Sequence, residues 1–265
     1  MPIRPMTFRE LLDVPFALIQ ANLRALAWSS GSALVAAELL VVAITAGISE
    51  LTDGADSATG WAAILSTMVC VWLLRFVLRG TTVAIGLASV SGAPIGARTA
   101  VRRAGSAAGP MLIFQLLYTL VGFGVLALSS PLIISLPFGV AWLGWLRAKR
   151  FVAVPAMLVE RAPHRAAVAR SKLLAVGAEW QTAGLWFVQR CLLVLLAVPL
   201  LGIPWYLSDF SGTHRWPVIV LLTSGVLLVV AFGEVVEAST RVVSYVDRRC
   251  RREGLDIHVP GQAVR

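Results

Sequence analysis

Of the chain's 265 residues, 58% are apolar and only 14% are charged, a balance that excludes an ordinary water-soluble globular domain. The 23 Lys and Arg against 14 Asp and Glu give a net charge of +9. The placement of those cations along the chain assigns the surplus to membrane topology and anionic headgroups rather than to nucleic acid. Cys70, Cys191 and Cys250 are scattered and make neither a disulfide framework nor a metal site.

In chain order, Thr7-Phe8-Arg9-Glu10 reads as a capping box, with Met6 and Leu11 placed as its hydrophobic staple. Phe8, Leu12, Pro15, Ile19, Leu23 and Leu26 follow as an apolar stripe at helical spacing, so this segment is expected to lie in the membrane interface. Pro15 is expected to kink or break it about two turns in. Arg4, Arg9, Glu10, Asp13 and Arg24 leave no clean apolar signal-peptide core, and the first span is expected to stay as an uncleaved anchor.

Six apolar runs then read as spans, near 30–49, 61–82, 110–129, 132–150, 184–206 and 216–238. The loops on one side carry Arg4, Arg9, Arg24, Arg98, Arg102, Arg103, the cations from Arg147 to Lys172 and those from Arg241 to Arg265; the other side carries only Arg215. Basic loops stay cytoplasmic, so both termini are expected there. The opposite loops are short, near Glu50–Gly60 and Ser208–Arg215, with Asp209 in the second and a tight turn at Ser129-Ser130-Pro131.

Two basic segments resemble one another: 93–103 and 162–172 each begin Ala-Pro and continue as small-residue helices, with Pro94 and Pro163 suited to a first turn. With the N-terminal segment they divide a single membrane domain, 1–265, into three units near 7–90, 93–160 and 162–253, followed by a short tail, 254–265. Each unit is an amphipathic cytoplasmic helix plus a transmembrane hairpin. The fold expected is therefore all-α, with six transmembrane helices in three hairpins. From about residue 216 the helical pattern runs to Glu253, with Gly254 as its C′ residue, and so overruns the bilayer by several turns.

Ionisable residues inside spans need partners. Glu38 and Arg190 lie at similar depth in their helices and are expected to pair. Arg75 and Arg79 are one turn apart, Glu234 and Glu237 share a helix face, and the four are expected to form a clamp, with snorkelling to headgroups as the other course for Arg79. At the cytoplasmic exits, Glu160, Arg170, Asp247, Arg249, Arg251 and Arg252 are expected to close a collar of helix ends.

No catalytic constellation is legible. His164, His214 and His258 are far apart, and there is no phosphate loop, nucleophile elbow or zinc-ligand spacing. No catalytic, cofactor or metal residue is assigned, and the chain is not expected to be an enzyme.

Three stretches carry a family resemblance. They are Arg4-Pro5 through Glu10-Leu11-Leu12-Asp13; Pro155 through Glu160 with Ala167, Arg170-Ser171, Leu174 and Trp180; and Tyr245-x-Asp247-x-Arg249-x-Arg251-Arg252-Glu253-Gly254-Leu255-Asp256. Together they resemble actinobacterial polytopic proteins grouped with the membrane domain of glycerophosphoryl diester phosphodiesterases. Pro15 and Cys250 depart from that pattern. The catalytic barrel of those enzymes has no counterpart here, so the resemblance implies a stand-alone membrane domain and supplies no catalytic residue. The expected role is a membrane scaffold or partner subunit whose basic face meets anionic phospholipid or another envelope protein. The competing expectation is a transporter-like or lipid-handling protein with a midplane site lined by Glu38, Gln115 and Arg190.

Overall fold

The computed structural model describes residues 4–131, 133–211 and 215–254, the side chains at 133, 207–211 and 215 excepted. The expectations for Asp209, Arg215 as exterior cation, His214, His258 and the tail beyond Gly254 lie outside the described residues. All described elements are helical: α1 (Phe8–Ala21), α2 (Leu23–Leu51), α3 (Asp56–Val90), α4 (Ala97–Ser106), α5 (Ala108–Ser129), a 3-10 turn (Ile133–Ser135), α6 (Leu136–Ala148), α7 (Ala153–Glu160), α8 (His164–Ala175), α9 (Glu179–Ser211) and α10 (Arg215–Glu253). Among the described residues five helices, α2, α3, α5, α9 and α10, are long and apolar enough to cross a membrane, the mark of a multi-pass membrane protein. A short helix followed by two longer ones recurs three times in this order, and the middle set is the irregular one.

The irregularity falls in the expected fourth span, which is not among those five helices. α6 has 13 residues, about 20 Å at 1.5 Å per residue against a hydrocarbon core of about 30 Å. The chain then turns at 149–152, and Glu160 ends an eight-residue helix rather than a long fourth span. Pro155 accounts for the break, since it has no N–H to return to the carbonyl of Phe151. That carbonyl accepts instead from Arg241 Nη1 at 3.1 Å. α7 is buried along Ala153–Met157, packed against α3, α8 and α10.

The middle hairpin is also shallower than its neighbours. Trp72 Nε1 donates to Thr119 Oγ1 at 3.1 Å, which fixes the register of α3 against α5. Beyond that contact α5 continues only to Ser129, about 15 Å, whereas α3 extends to Asp56, about 24 Å. Measured from Tyr118, whose hydroxyl donates to Glu237 at 3.5 Å, α10 reaches about 33 Å to Arg215 and α5 about 17 Å to Ser129. The α2–α3 and α9–α10 hairpins thus outreach α5–α6 by about 9–16 Å.

α1 has the expected capping box: Glu10 N–H donates to Thr7 and the Thr7 N–H donates to Glu10 at 2.7 Å. That bond and Arg4 hold the Glu10 carboxyl down at about 2. Met6 and Leu11 are both buried in one core cluster. The helix runs through Pro15 and stops at Asn22, not at the proline. Its buried line is Leu11, Pro15 and Leu18, docked on α10, while Phe8 and Leu23 of the expected stripe are exposed. Asn22 Nδ2 bonds the Leu18 carbonyl at 2.8 Å and Ser89 Oγ at 3.0 Å, pinning the α1–α2 corner to the end of α3. Pro94 and Pro163 stand ahead of their helices, since α4 is capped by Gly96 and Pro163 is itself the N-cap of α8.

α10 has 39 residues, about 58 Å, and Gly254 closes it at φ 60°. α3 crosses α4 and α5 at Gly80, where an added Cβ would lie 2.9 Å from the Ala104 Cβ and 2.7 Å from the Met111 Cε. Gly80→Ala is expected to lower stability by about 1–3 kcal/mol through overpacking. Gly47→Ala, with nothing within 4 Å of the new Cβ, should cost nothing. Thermal unfolding in detergent distinguishes the two.

Candidate functional site

Two carboxylates on α10 organise the centre of the bundle. Glu234 accepts from Arg75 Nε at 2.9 Å and from Arg79 Nε and Nη2 at 2.6 and 3.1 Å. Arg79 also donates to Gln115 of α5. Glu237 accepts from Arg190 of α9, from Arg241 one turn along its own helix, and from Tyr118. Arg75 Nη2 lies 4.0 Å from Glu237 and bridges the two acids. Glu234, Glu237, Arg79 and Arg241 are each at most 2% exposed. Ionised carboxylates at that burial are tolerable only when several guanidinium donors replace their water.

The structure thus brings Arg75, Arg79, Glu234 and Glu237 together, and Arg79 is buried rather than snorkelling to headgroups. It does not pair Glu38 with Arg190. α10 packs against both α2 and α9, and its own Glu237 meets Arg190. Glu38 accepts from Thr223 Oγ1 at 3.0 Å, and its second oxygen is buried with no hydrogen-bond partner. The expected midplane site is dispersed in the same way: Glu38 sits with Thr223, Gln115 with Arg79, and Arg190 with Glu237.

At the basic end of the bundle, Glu160 accepts from Arg170 Nε and from the Tyr245 hydroxyl, both at 3.1 Å. Arg170 reaches on to Glu253, which also takes Arg249 Nε at 2.8 Å. Asp247 accepts the Met6 N–H at 2.7 Å and Arg251 Nε at 3.0 Å, and Arg251 Nη2 returns to the Met6 carbonyl at 2.5 Å. Arg252 Nη2 caps the Val176 carbonyl at 2.5 Å and makes no ion pair among the described residues. The six residues fall into three separate contacts: Glu160, Arg170 and Arg249 are joined through Glu253, Asp247 and Arg251 hold Met6, and Arg252 holds Val176, so that the N-terminal segment, the end of α7 and α8 are each tied to the end of α10.

Sequence reasoning missed Arg241, Tyr118 and Arg147. In the sequence Arg241 reads with the basic tail, although its i,i+4 spacing from Glu237 is the signal for a pair on one helix. Arg147 was assigned to a cytoplasmic loop, and no local pattern marks it otherwise. Its guanidinium lies 4.0 Å from the Tyr118 ring centroid and 5.2 Å from that of Trp186, against Gly122. With Arg150 and His164 it lines a cleft of about 230 Å³ between α5, α6 and α8. Burial and the neighbouring Arg150 push the His164 pKa below its ordinary value, which favours the neutral ring. No His, Cys, Asp and Glu cluster among the described residues could hold a metal ion.

No family model, no curated protein and no solved structure matches the chain. The arrangement itself can hold helices in register and bind anions.

Removing one member of the layer strands a buried charge. Glu237→Gln is expected to cost about 3–5 kcal/mol, whereas Glu38→Gln should cost well under half of that. Adding Arg190→Gln to Glu237→Gln should cost less than the two single effects combined. Additive thermal-unfolding losses would show that the two residues are not coupled.

Proposed function

We propose that the chain is a non-enzymatic, multi-pass scaffold or partner subunit of a bacterial inner membrane, with both termini cytoplasmic and a basic cytoplasmic face that binds anionic phospholipid or another envelope protein. The observation that carries this reading is the state of the cations at the basic end. α4 buries Ala100 against the bundle and leaves Arg98, Arg102 and Arg103 exposed, with no ion pair among the described residues. Of the acids at that end, Glu160, Asp247 and Glu253 are engaged in the collar, Glu10 is paired with Arg4 and Glu179 accepts the Gly177 N–H, which leaves Asp13 exposed on α1. Exposed guanidinium groups without local counter-charges suit a negative surface outside the protein, and each contributes about 1 kcal/mol beside an anionic leaflet. The motif resemblance to the membrane domain of glycerophosphoryl diester phosphodiesterases belongs to the same proposal: Glu160, Arg170, Asp247, Arg249, Arg251 and Arg252 serve as structural closure, with no catalytic role.

A lipid-handling role is the second reading. The cleft lined by Arg147, Arg150 and His164 favours it, in place of the dispersed trio of Glu38, Gln115 and Arg190.

The test is purification without crosslinking, with mass spectrometry of retained lipids and proteins. A stoichiometric envelope-protein partner or enriched anionic lipid is expected, with weaker retention in an Arg98→Gln, Arg102→Gln, Arg103→Gln variant. A monodisperse protein that carries neither would sink the proposal.

A further inference from the structure

Five guanidinium groups, those of Arg75, Arg79, Arg147, Arg190 and Arg241, stand around two carboxylates. Four of the five bond a carboxylate. Arg147 does not: its Nε is buried with no hydrogen-bond partner among the described residues, its guanidinium rests on the faces of Tyr118 and Trp186, and Glu237, already bonded to Arg190 and Arg241, acts on it only through space. Arg150, three residues on, has no ion pair among the described residues. A guanidinium this far inside an apolar bundle is costly unless an anion faces it. Aromatic faces offset only about 0.5–2 kcal/mol of that cost.

Both arginines open on the α5–α6–α8 cleft, and so does the side chain of His164, whose Nδ1 is likewise buried without a partner. The rest of the lining is mostly apolar. Leu117 and Val121 form one wall and are 47% and 37% exposed, so the cleft opens along the outer surface of α5, the surface that meets lipid. Two guanidinium groups with no carboxylate bonded to them, at one end of a hydrocarbon-lined opening, suit an anion that brings its own hydrocarbon.

We propose that this cleft binds the phosphoryl headgroup of an anionic phospholipid, with Arg147 and Arg150 on the phosphate oxygens and the acyl chains laid along Leu117 and Val121. Guanidinium groups match phosphate oxygens with paired donors. The shallow middle hairpin fits this assignment, because α6 ends beside the arginine layer and delivers Arg147 and Arg150 there instead of carrying them past it. The inference rests on the membrane reading above and adds to it a site and a ligand class.

The full-length protein would be reconstituted in phosphatidylcholine vesicles containing phosphatidylglycerol, extracted in mild detergent, and its retained lipid measured by native mass spectrometry. Wild type is expected to retain phosphatidylglycerol over phosphatidylcholine. Arg147→Gln with Arg150→Gln should reduce that preference at least about tenfold, equivalent to about 1.4 kcal/mol. Val121→Trp, which fills the cleft and leaves every charge in place, should cause a similar loss, and it carries the test if the arginine variant does not fold. Excess inorganic phosphate should leave the lipid bound; displacement by phosphate would overturn the lipid assignment. If both variants keep the wild-type preference, the site is wrong while the broader lipid-binding reading stands. If wild type shows no preference, both fail on lipid.

Discussion

The structure depends on two carboxylates placed one turn apart on α10. Glu234 and Glu237 are buried where an ionised group is most costly, and they draw arginines from three helices to one level. Apolar packing alone gives weak register between helices in lipid, because lipid tails are as apolar as the side chains they contact. A buried ion network supplies what packing does not, since sliding α3 or α9 by one turn would leave a guanidinium facing hydrocarbon. The layer sets the depth of α3, α5, α9 and α10 together. Such networks are poor sources of net stability and better sources of a unique arrangement.

A second constraint follows from the first. Arg241 is shared between Glu237 and the Phe151 carbonyl, the acceptor released by Pro155. The break between α6 and α7 is therefore closed by the same network that sets the register. Without that arginine the orphaned carbonyl would sit in a region with no water to satisfy it. α7 can then turn inward and fill the centre of the basic end, where the collar closes over it through Tyr245, Glu160 and Arg170.

Much of this was legible in the residues, and the failures have physical reasons. The long apolar runs mark helices because a hydrophobic stretch needs no partner to declare itself, and the Thr7–Glu10 capping box is a purely local device. The grouping of Arg75 and Arg79 with Glu234 and Glu237 was readable because both pairs recur at one-turn spacing on helices of known direction. The Glu38–Arg190 pairing rested on equal depth alone, and depth does not say which helices are neighbours; α10 stands against both α2 and α9 and satisfies Arg190 itself. The break after the expected fourth span was hidden for a different reason. Residues 132–150 are apolar enough to cross, but Pro155 lies beyond them, and its effect appears one turn back, at Phe151. Arg147 lacked any local signal because its environment is made by aromatic rings on two other helices.

The three recurring sets of helices differ most where function would act. In the first and third sets the two long helices form a deep hairpin, and their internal charges are bonded across helices. In the middle set the hairpin is shallow, its second helix is broken, and the arginines at the break have no carboxylate. Had all three units been alike, an arginine at the position of Arg147 would have been carried to the headgroup level, where water neutralises it at little cost. Shortening α6 leaves that charge inside the apolar envelope while α5 and α8 hold the space beside it open. A structural device would be expected to fill such a space or to supply an acid, as Glu234 and Glu237 do elsewhere. The middle unit does neither, so its surplus charge and its cavity are better explained together, as two halves of one binding site, than as separate packing defects.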